Sequence, residues 1–302
     1  MRVLFVEQPA NLPPAPEGRV AVVDLAFAGA DNFERVTEPF LAALGNRLAI
    51  WIDHHEHPVG WSRVRGDPRF VLVPNREAHA CPELVTPEVV RRAGAVDVVV
   101  AHADMDGLLS AVKFLRGGIA PWPEADEDAR ASDSPGRGHA FSARGKLLHD
   151  ALGEAQSSLR SKPREAFRQE LAAALVALPA PIPPGLQGRL TQLAREHAAT
   201  IAPAEALAES AREEAGSVLV VRVQKDLGRA LKKELLSLLE ERAAVGVVVE
   251  GHAITAATFR AEIDLAGCAE LSAGRSDYRF AQLNDDGRAI ISRIGQLVRD
   301  AS

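Results

Sequence analysis

The chain has 302 residues, 47% hydrophobic and 25% charged, with a formal net charge of -6. That length allows two domains of ordinary size, each with its own core. The charge excludes a protein that coats long nucleic acid by bulk electrostatics, though not a local basic groove.

No apolar stretch approaches the roughly 18–20 residues that span a bilayer. The apolar run in MRVLFVEQPA is too short for a signal peptide. Two cysteines, Cys81 and Cys268, make no disulfide framework. A cytoplasmic protein with no membrane partner is therefore expected.

In chain order, the short apolar runs Val3–Val6, Val20–Val23, Leu48–Ile52, Phe70–Val73 and Val96–Ala101 read as buried parallel strands. Helix-like segments Glu34–Leu44 and Pro87–Arg92 alternate with them. The alternation predicts an α/β domain over residues 1–140, with a parallel sheet covered on both faces. PWPEADEDARASDSPGRG (121–138) reads as a Pro/acid/Gly loop. Residues 141–215 carry helical periodicity in GKLLHDALGEA, REAFRQELAAALVAL and LQGRLTQLAREHA, broken by PAPIPP (179–184) and without a strand pattern. They read as a helical connector. Residues 216–302 return to strands in SVLVVRV, GVVVEG and ITAATFR, with helix-like LGRALKKELLSLLEERA between the first two. A short helix around Asp264–Leu271 and a C-terminal helix near Ala289–Arg299 complete a smaller α+β domain.

The chemistry gathers where strands of the first domain end. RVAVVDLAFAG delivers Asp24, LAIWIDHHEH delivers Asp53, His54 and His55, and VDVVVAHADMDGLLSAV delivers His102, Asp104 and Asp106 before Gly107. In an open parallel sheet these ends share one edge, where ligand crevices form. Asp133, in RASDSPGRG, adds a carboxylate from the loop after the next helix. In an extended HxDxDG segment alternate side chains point the same way, so His102, Asp104 and Asp106 can face one pocket. Gly107 then permits a tight turn into a helix.

Each motif alone has a plainer reading. A lone strand-end Asp caps a helix, and DHH can be a polar turn. Together, these carboxylates and imidazoles suit two divalent cations roughly 4 Å apart with a water between them, an arrangement for hydrolysing phosphoesters. Imidazole among carboxylates favours manganese, with magnesium or cobalt as substitutes.

Among the rest, Cys81 reads as structural, His57 and His79 as surface or supporting residues, and Trp51 as core. Neither GxxxxGK[ST] nor GxGxxG occurs, which removes nucleoside-triphosphate and dinucleotide-cofactor readings.

VVDLAFAG, WIDHHE and AHADMDGLLSA together resemble the DHH phosphoesterase superfamily. That superfamily includes RecJ-type single-strand exonucleases, nanoRNases, cyclic-dinucleotide phosphodiesterases and pyro- or polyphosphatases. The resemblance implies a DHH domain, a helical connector and a DHH-associated domain that grips substrate. It implies metal ligands at Asp24, His54, His102, Asp104, Asp106 and Asp133, with His55 beside the substrate phosphate and Asp53 orienting its neighbours. Two departures stand out. The lone Asp and DHH precede HxDxDG, whereas the superfamily places HxDxDG first. The glycine-rich GGGH-type loop is replaced by AGRSDYRF. There Arg275 and Arg279 flank the only tyrosine, Tyr278. Guanidinium groups grip phosphate and a tyrosine stacks on a base, so Arg275, Tyr278, Arg279 and, less directly, Arg260 are candidate substrate contacts.

The sequence thus points to a manganese-dependent phosphodiesterase of short oligonucleotides or (cyclic) dinucleotides, with a second copy of the chain as a candidate partner. The rivals are a pyro- or polyphosphatase and a catalytically idle metal- or nucleic-acid-binding protein.

Overall fold

Strands with apolar residues at every position need cover on both faces, and five such strands build one sheet. In a computed structural model describing residues 2–29, 32–134, 138–260, 262–271, 273–274 and 278–301, they are β1 (Arg2–Val6), β2 (Val20–Val23), β3 (Leu48–Asp53), β4 (Phe70–Leu72) and β5 (Val98–His102). They stand in the order β1-β5-β2-β3-β4, and every adjacent pair is parallel. Side-chain alternation sends Ala21, Val23, Ile50, Ile52, Val99 and Ala101 to one face. It sends Val20, Val22, Trp51, Val98 and Val100 to the other.

Helices cover both faces, and further helices pack beyond them. They are α1 (Glu38–Leu44), α2 (Pro58–Arg63), α3 (Pro87–Ala93), α4 (Met105–Leu115), α5 (Ala125–Asp133), α6 (Ala143–Ser158), α7 (Ser161–Val176) and α8 (Pro184–Ile201). Phe40 and Leu44 of α1 pack on the Trp51 face, and Ala111 and Phe114 of α4 on the other. α4 is buried almost all round. Its Leu108, Leu109 and Val112 join Leu148 of α6, Phe167 and Leu171 of α7, and Leu186 and Leu190 of α8 in a separate helical core.

The chain forms two compact units, Met1–Ser134 with His139–Ala194, and Pro135–Gly138 with Arg195–Ser302. The second unit has a six-stranded sheet in the order β10-β11-β9-β8-β7-β6. Its strands are β6 (Arg212–Glu214), β7 (Val218–Val223), β8 (Val245–Glu250), β9 (Ala253–Ala257), β10 (Ala273–Gly274) and β11 (Tyr278–Gln282). Only β7 and β8 pair in parallel. Leu235, Leu236 and Leu239 of α10 (Arg229–Glu240) pack on one face together with Ala204 and Ala208 of α9 (Ala204–Glu209). Ile290, Ile291 and Ile294 of α11 (Arg288–Asp300) pack on the other.

Several local expectations are corrected. The 121–138 stretch is not a loop throughout, because α5 runs through its middle. Asp126, Glu127 and Asp128 fill the first turn of α5, where carboxylates meet the helix dipole favourably. Buried Asp128 accepts hydrogen bonds from Trp122 Nε1 (2.8 Å) and from Ser142 N (2.6 Å) and Oγ (2.7 Å). Asp133 is accordingly the last residue of a helix. β6 lies where no strand was expected, and the helix read at Asp264–Leu271 is a single 3-10 turn, Leu265–Gly267.

HADMDG is not one extended segment either, since β5 ends at His102 and α4 starts at Met105. Gly107 is required for close approach: a Cβ there would lie 2.2 Å from the His102 carbonyl oxygen and 2.8 Å from its carbon. Gly107→Ala is expected to destabilise the protein by about 1–3 kcal/mol through overpacking. A denaturant midpoint equal to wild type would contradict this contact.

Candidate metal centre

Because β5 stands between β1 and β2, the three motif-bearing strands β5, β2 and β3 are neighbours. Their carboxyl ends lie on one edge, and the chain turns sharply there. Asp24 follows β2 with φ of 51°, a left-handed conformation that Asp tolerates better than most residues. Its N–H donates to the Ile52 carbonyl (2.8 Å), which pins β2 to β3 at the site. Asp24 is buried, and neither carboxylate oxygen has a hydrogen-bond partner among the described residues. Strained backbone and an orphaned buried carboxylate together mark a functional position.

His54 is fully buried. Its Nδ1–H donates to the Ala78 carbonyl (2.9 Å), which turns Nε2 inward. That Nε2 lies 3.4 Å from Asp24 Oδ1, 3.3 Å from Asp106 Oδ2 and 3.6 Å from Asp133 Oδ2, with no hydrogen-bond partner among the described residues. Asp106 comes from the first turn of α4 and is also buried. Its Oδ2 accepts the Cys81 N–H (3.0 Å), and its Oδ1 has no partner among the described residues.

Asp104 is the N-cap of α4, with Oδ1 accepting the Gly107 N–H (2.9 Å). Its Oδ2 accepts from His102 Nδ1 (2.7 Å). His55 donates through Nδ1 to Asp53 Oδ1 (2.8 Å) and keeps 28% of its side chain exposed.

Among the described residues, ligand-capable atoms converge in three groups: Asp24, His102 and Asp104; His54, Asp106 and Asp133; and Asp24, His54 and His55. The first two groups share no residue. Asp24 and His54 link them through the third group. Carboxylate oxygens with imidazole nitrogen form the donor set of divalent ions such as manganese. Nδ1 donation to a carbonyl or carboxylate is how ligating histidines are usually oriented.

The electrostatics agree. Burial pushes the Asp24 carboxyl well above its ordinary value, and neighbouring Asp104 adds to the shift. Burial does the same to Asp106, reinforced by Asp24. Burial opposes protonation of His54, but Asp106 and Asp133 outweigh it and raise its pKa. Likewise burial is overcome at His55 by Asp53, which lifts it to about 9. Burial also raises Asp104, but His102 and the Gly107 amide prevail and hold it well below the usual carboxylate range. These are the signs of carboxylates gathered without enough positive charge.

Asp24, His54, His55, His102, Asp104, Asp106 and Asp133 therefore meet, and Asp53 supports His55 from beneath. The proposed substrate contacts lie in the second unit. Arg260 is exposed. Arg279 donates from Nε to the Leu271 carbonyl (2.8 Å), and half-buried Tyr278 packs against the α10 side of the sheet. Arg275 lies outside the described residues. Three contributors went unseen in the sequence: the Ala78 carbonyl, the Cys81 amide, and Asn75, whose Nδ2 lies 3.4 Å from Asp133 Oδ2. The first two are backbone groups with no residue-type signature. His57, read as surface or supporting, is buried as the N-cap of α2, where it accepts the Gly60 N–H (2.9 Å).

No family model matches the chain, and neither does any curated protein. Solved structures do. The chain is similar to a RecJ exonuclease bound to manganese, at 13% identity and TM-score 0.42, over 93% of this chain and 75% of that one. It is similar to PggH, a pGpG-specific phosphodiesterase from Vibrio cholerae, at 12% and 0.44, over 93% and 99%. A third is an exopolyphosphatase-related protein from Bacteroides fragilis, at 10% and 0.45, over 94% and 72%. At such identities the chemistry has to be read from this chain's own side chains.

A cluster short of positive charge should gain stability from a divalent ion. At a Mn²⁺ concentration of about 100 Kd the expected gain is ~2.7 kcal/mol, seen as a higher Tm that a chelator reverses. Asp24→Asn keeps the left-handed turn and removes one buried charge. Without metal it should be more stable than wild type by on the order of 1 kcal/mol, and Mn²⁺ should no longer raise its Tm appreciably. A variant that is destabilised and still responds fully to Mn²⁺ would refute this account.

Proposed function

We propose that the protein is a two-metal phosphoesterase of the DHH type that hydrolyses phosphodiester bonds in short oligonucleotides or dinucleotides, with manganese as the preferred ion. The observation that carries this reading is the unpartnered His54 Nε2, buried and facing three carboxylates. With its Nδ1–H held by the Ala78 carbonyl, His54 can offer Nε2 beside orphaned carboxylate oxygens, a donor set that fits a divalent cation.

When bound, a pair of divalent cations lowers the pKa of water and neutralises charge on a phosphoryl group. Asp24, His102 and Asp104 would hold one ion, and His54, Asp106 and Asp133 the other. Asp24 and His54 stand where the two groups meet.

His55 has a different task. Asp53 holds its Nδ1–H, so the ring turns Nε2 away from that carboxylate, and the side chain is partly exposed. An N–H at Nε2 then donates to a non-bridging oxygen of the substrate phosphate, where negative charge collects. Asp53 acts through His55, as a buried acceptor that fixes the ring.

The choice of a phosphodiester over a pyrophosphate is supported by the second unit. Tyr278 and Phe280 alternate onto the same side of β11, and Phe280 is 47% exposed. Such aromatic surface stacks on a base and has no role toward a bare phosphoanhydride. With Arg260, Tyr278 and Arg279 as substrate contacts, the reading follows the superfamily resemblance.

The test is hydrolysis of a panel of dinucleotides, cyclic dinucleotides, short RNA and DNA, and pyrophosphate, with Mn²⁺, Mg²⁺ or Co²⁺. Cleavage of the nucleotide substrates is expected, and Asp104→Ala should lower kcat at least about 10³-fold, or ~4 kcal/mol of barrier. His55→Gln should lower kcat about 10²-fold without changing Mn²⁺ affinity. Cleavage of pyrophosphate alone would replace this reading with a phosphoanhydride hydrolase, and no cleavage of any substrate would leave a binding protein.

A further inference from the structure

Next to the cluster, but outside it, polar groups close a ring between the segment after β4 and helix α5. Ala80 N–H donates to Glu83 Oε1 (2.9 Å), and Arg130 Nη2 donates to Glu83 Oε2 (2.8 Å). Arg130 Nη1 donates to Glu127 Oε2 (3.0 Å), and Glu127 Oε1 pairs with His139 Nδ1 (3.0 Å). His139 Nε2 meets His79 Nδ1 (2.8 Å), and the His79–Ala80 peptide completes the circuit. A cross-brace runs from Ser134 Oγ to the His79 carbonyl (3.0 Å).

Both sides of this ring end in the candidate metal centre. On one side, the segment that carries His79 and Ala80 presents the Ala78 carbonyl to His54 and the Cys81 amide to Asp106. On the other, Glu127, Arg130 and Asp133 are spaced i, i+3, i+6 on α5, so they share one face of the helix. The ring therefore clamps that face onto the segment that orients His54 and Asp106. Asp24, His102 and Asp104 have no part in it. Asp104 is held by the Gly107 amide and by His102.

We propose that Glu83, Arg130, Glu127, His139 and His79 form a positioning clamp for one cation site only, the one built from His54, Asp106 and Asp133. This rests on the two-metal reading above. The clamp sets the distance between Asp133 and the other two ligands and leaves the Asp24–His102–Asp104 site untouched. Stability is not its main contribution. Glu83, Arg130 and Glu127 keep 21%, 30% and 39% of their side chains exposed, and ion pairs that wet add little to folding. The ring's value is geometric, because groups behind metal ligands commonly govern affinity about 10–100-fold.

The test is Mn²⁺ titration by calorimetry, with electron paramagnetic resonance to separate paired from single ions, on wild type, Arg130→Gln, Arg130→Lys and His139→Gln. Wild type is expected to bind two ions and give the spectrum of a coupled pair. Arg130→Gln should keep one ion within about twofold of wild-type affinity and bind the other about 10–100-fold more weakly, giving a single-ion spectrum at intermediate Mn²⁺. Arg130→Lys should restore part of the loss, and the metal-free Tm should barely move. His139→Gln opens the ring on its far side without touching Arg130, so it decides the matter if Arg130→Gln folds poorly. Unchanged affinities in these variants overturn the clamp, as does an equal loss at both sites in step with a falling Tm. A wild type that binds no ion pair overturns the two-metal reading itself, a result distinct from either.

Discussion

The structure turns on one electrostatic constraint: several carboxylates converge on a buried imidazole with too little positive charge among them. Asp24, Asp106 and Asp133 lie within 3.3–3.6 Å of His54 Nε2. Like charges in a low-dielectric pocket raise each other's pKa, and an unpaired buried polar atom carries a desolvation cost. Both effects are visible at Asp24 and Asp106. A positively charged ligand would relieve both effects at once.

The sheet order explains how the constraint is assembled. A chain running β1 to β5 in simple succession would leave β5 at an edge, far from β2. Insertion of β5 between β1 and β2 brings its His102 and Asp104 beside Asp24, with the DHH strand on the other side. Asp24 is thus the central residue of the edge. Its backbone hydrogen bond to Ile52 and its left-handed turn hold it there. Burial of Trp51 and the strands around it supplies the rigidity against which that turn is strained.

Much of this was legible from residue types. A strand ending in Asp, another in Asp-His-His and a third in His-Ala-Asp announce themselves, because apolar runs rarely stop in several metal-capable side chains. What could not be read was how the last motif folds. HADMDG looks extended, yet α4 begins inside it, and helical geometry rather than strand alternation carries Asp106 inward. Asp133 was misplaced for a related reason: Pro and Gly at its flanks suggested a loop, while the acids of the first turn and the alanines of ADEDARASD make a helix. The Ala78 carbonyl and Cys81 amide lie beyond any sequence reading, since every residue has those groups and only tertiary structure selects which ones face a ligand.

The two halves of the cluster differ in how they are held, and that difference follows from where their ligands sit. His102 and Asp104 are joined by one peptide segment and by a direct hydrogen bond, and the α4 cap fixes Asp104 within a few residues of its strand. Their geometry is local and survives small shifts elsewhere. His54 follows β3, and Asp106 and Asp133 come from α4 and the far end of α5, so only tertiary contacts keep them together. Asp133 also stands at a helix C-terminus, where the dipole disfavours a carboxylate and the last turn is prone to fray. The first half draws only Asp24 from elsewhere in the chain, and its backbone bond to Ile52 holds it; the second draws all three of its side chains from separate elements and needs more bracing. The hydrogen-bonded ring lies on that side of the cluster and ties α5, which carries Asp133, to the segment whose Ala78 carbonyl and Cys81 amide contact His54 and Asp106.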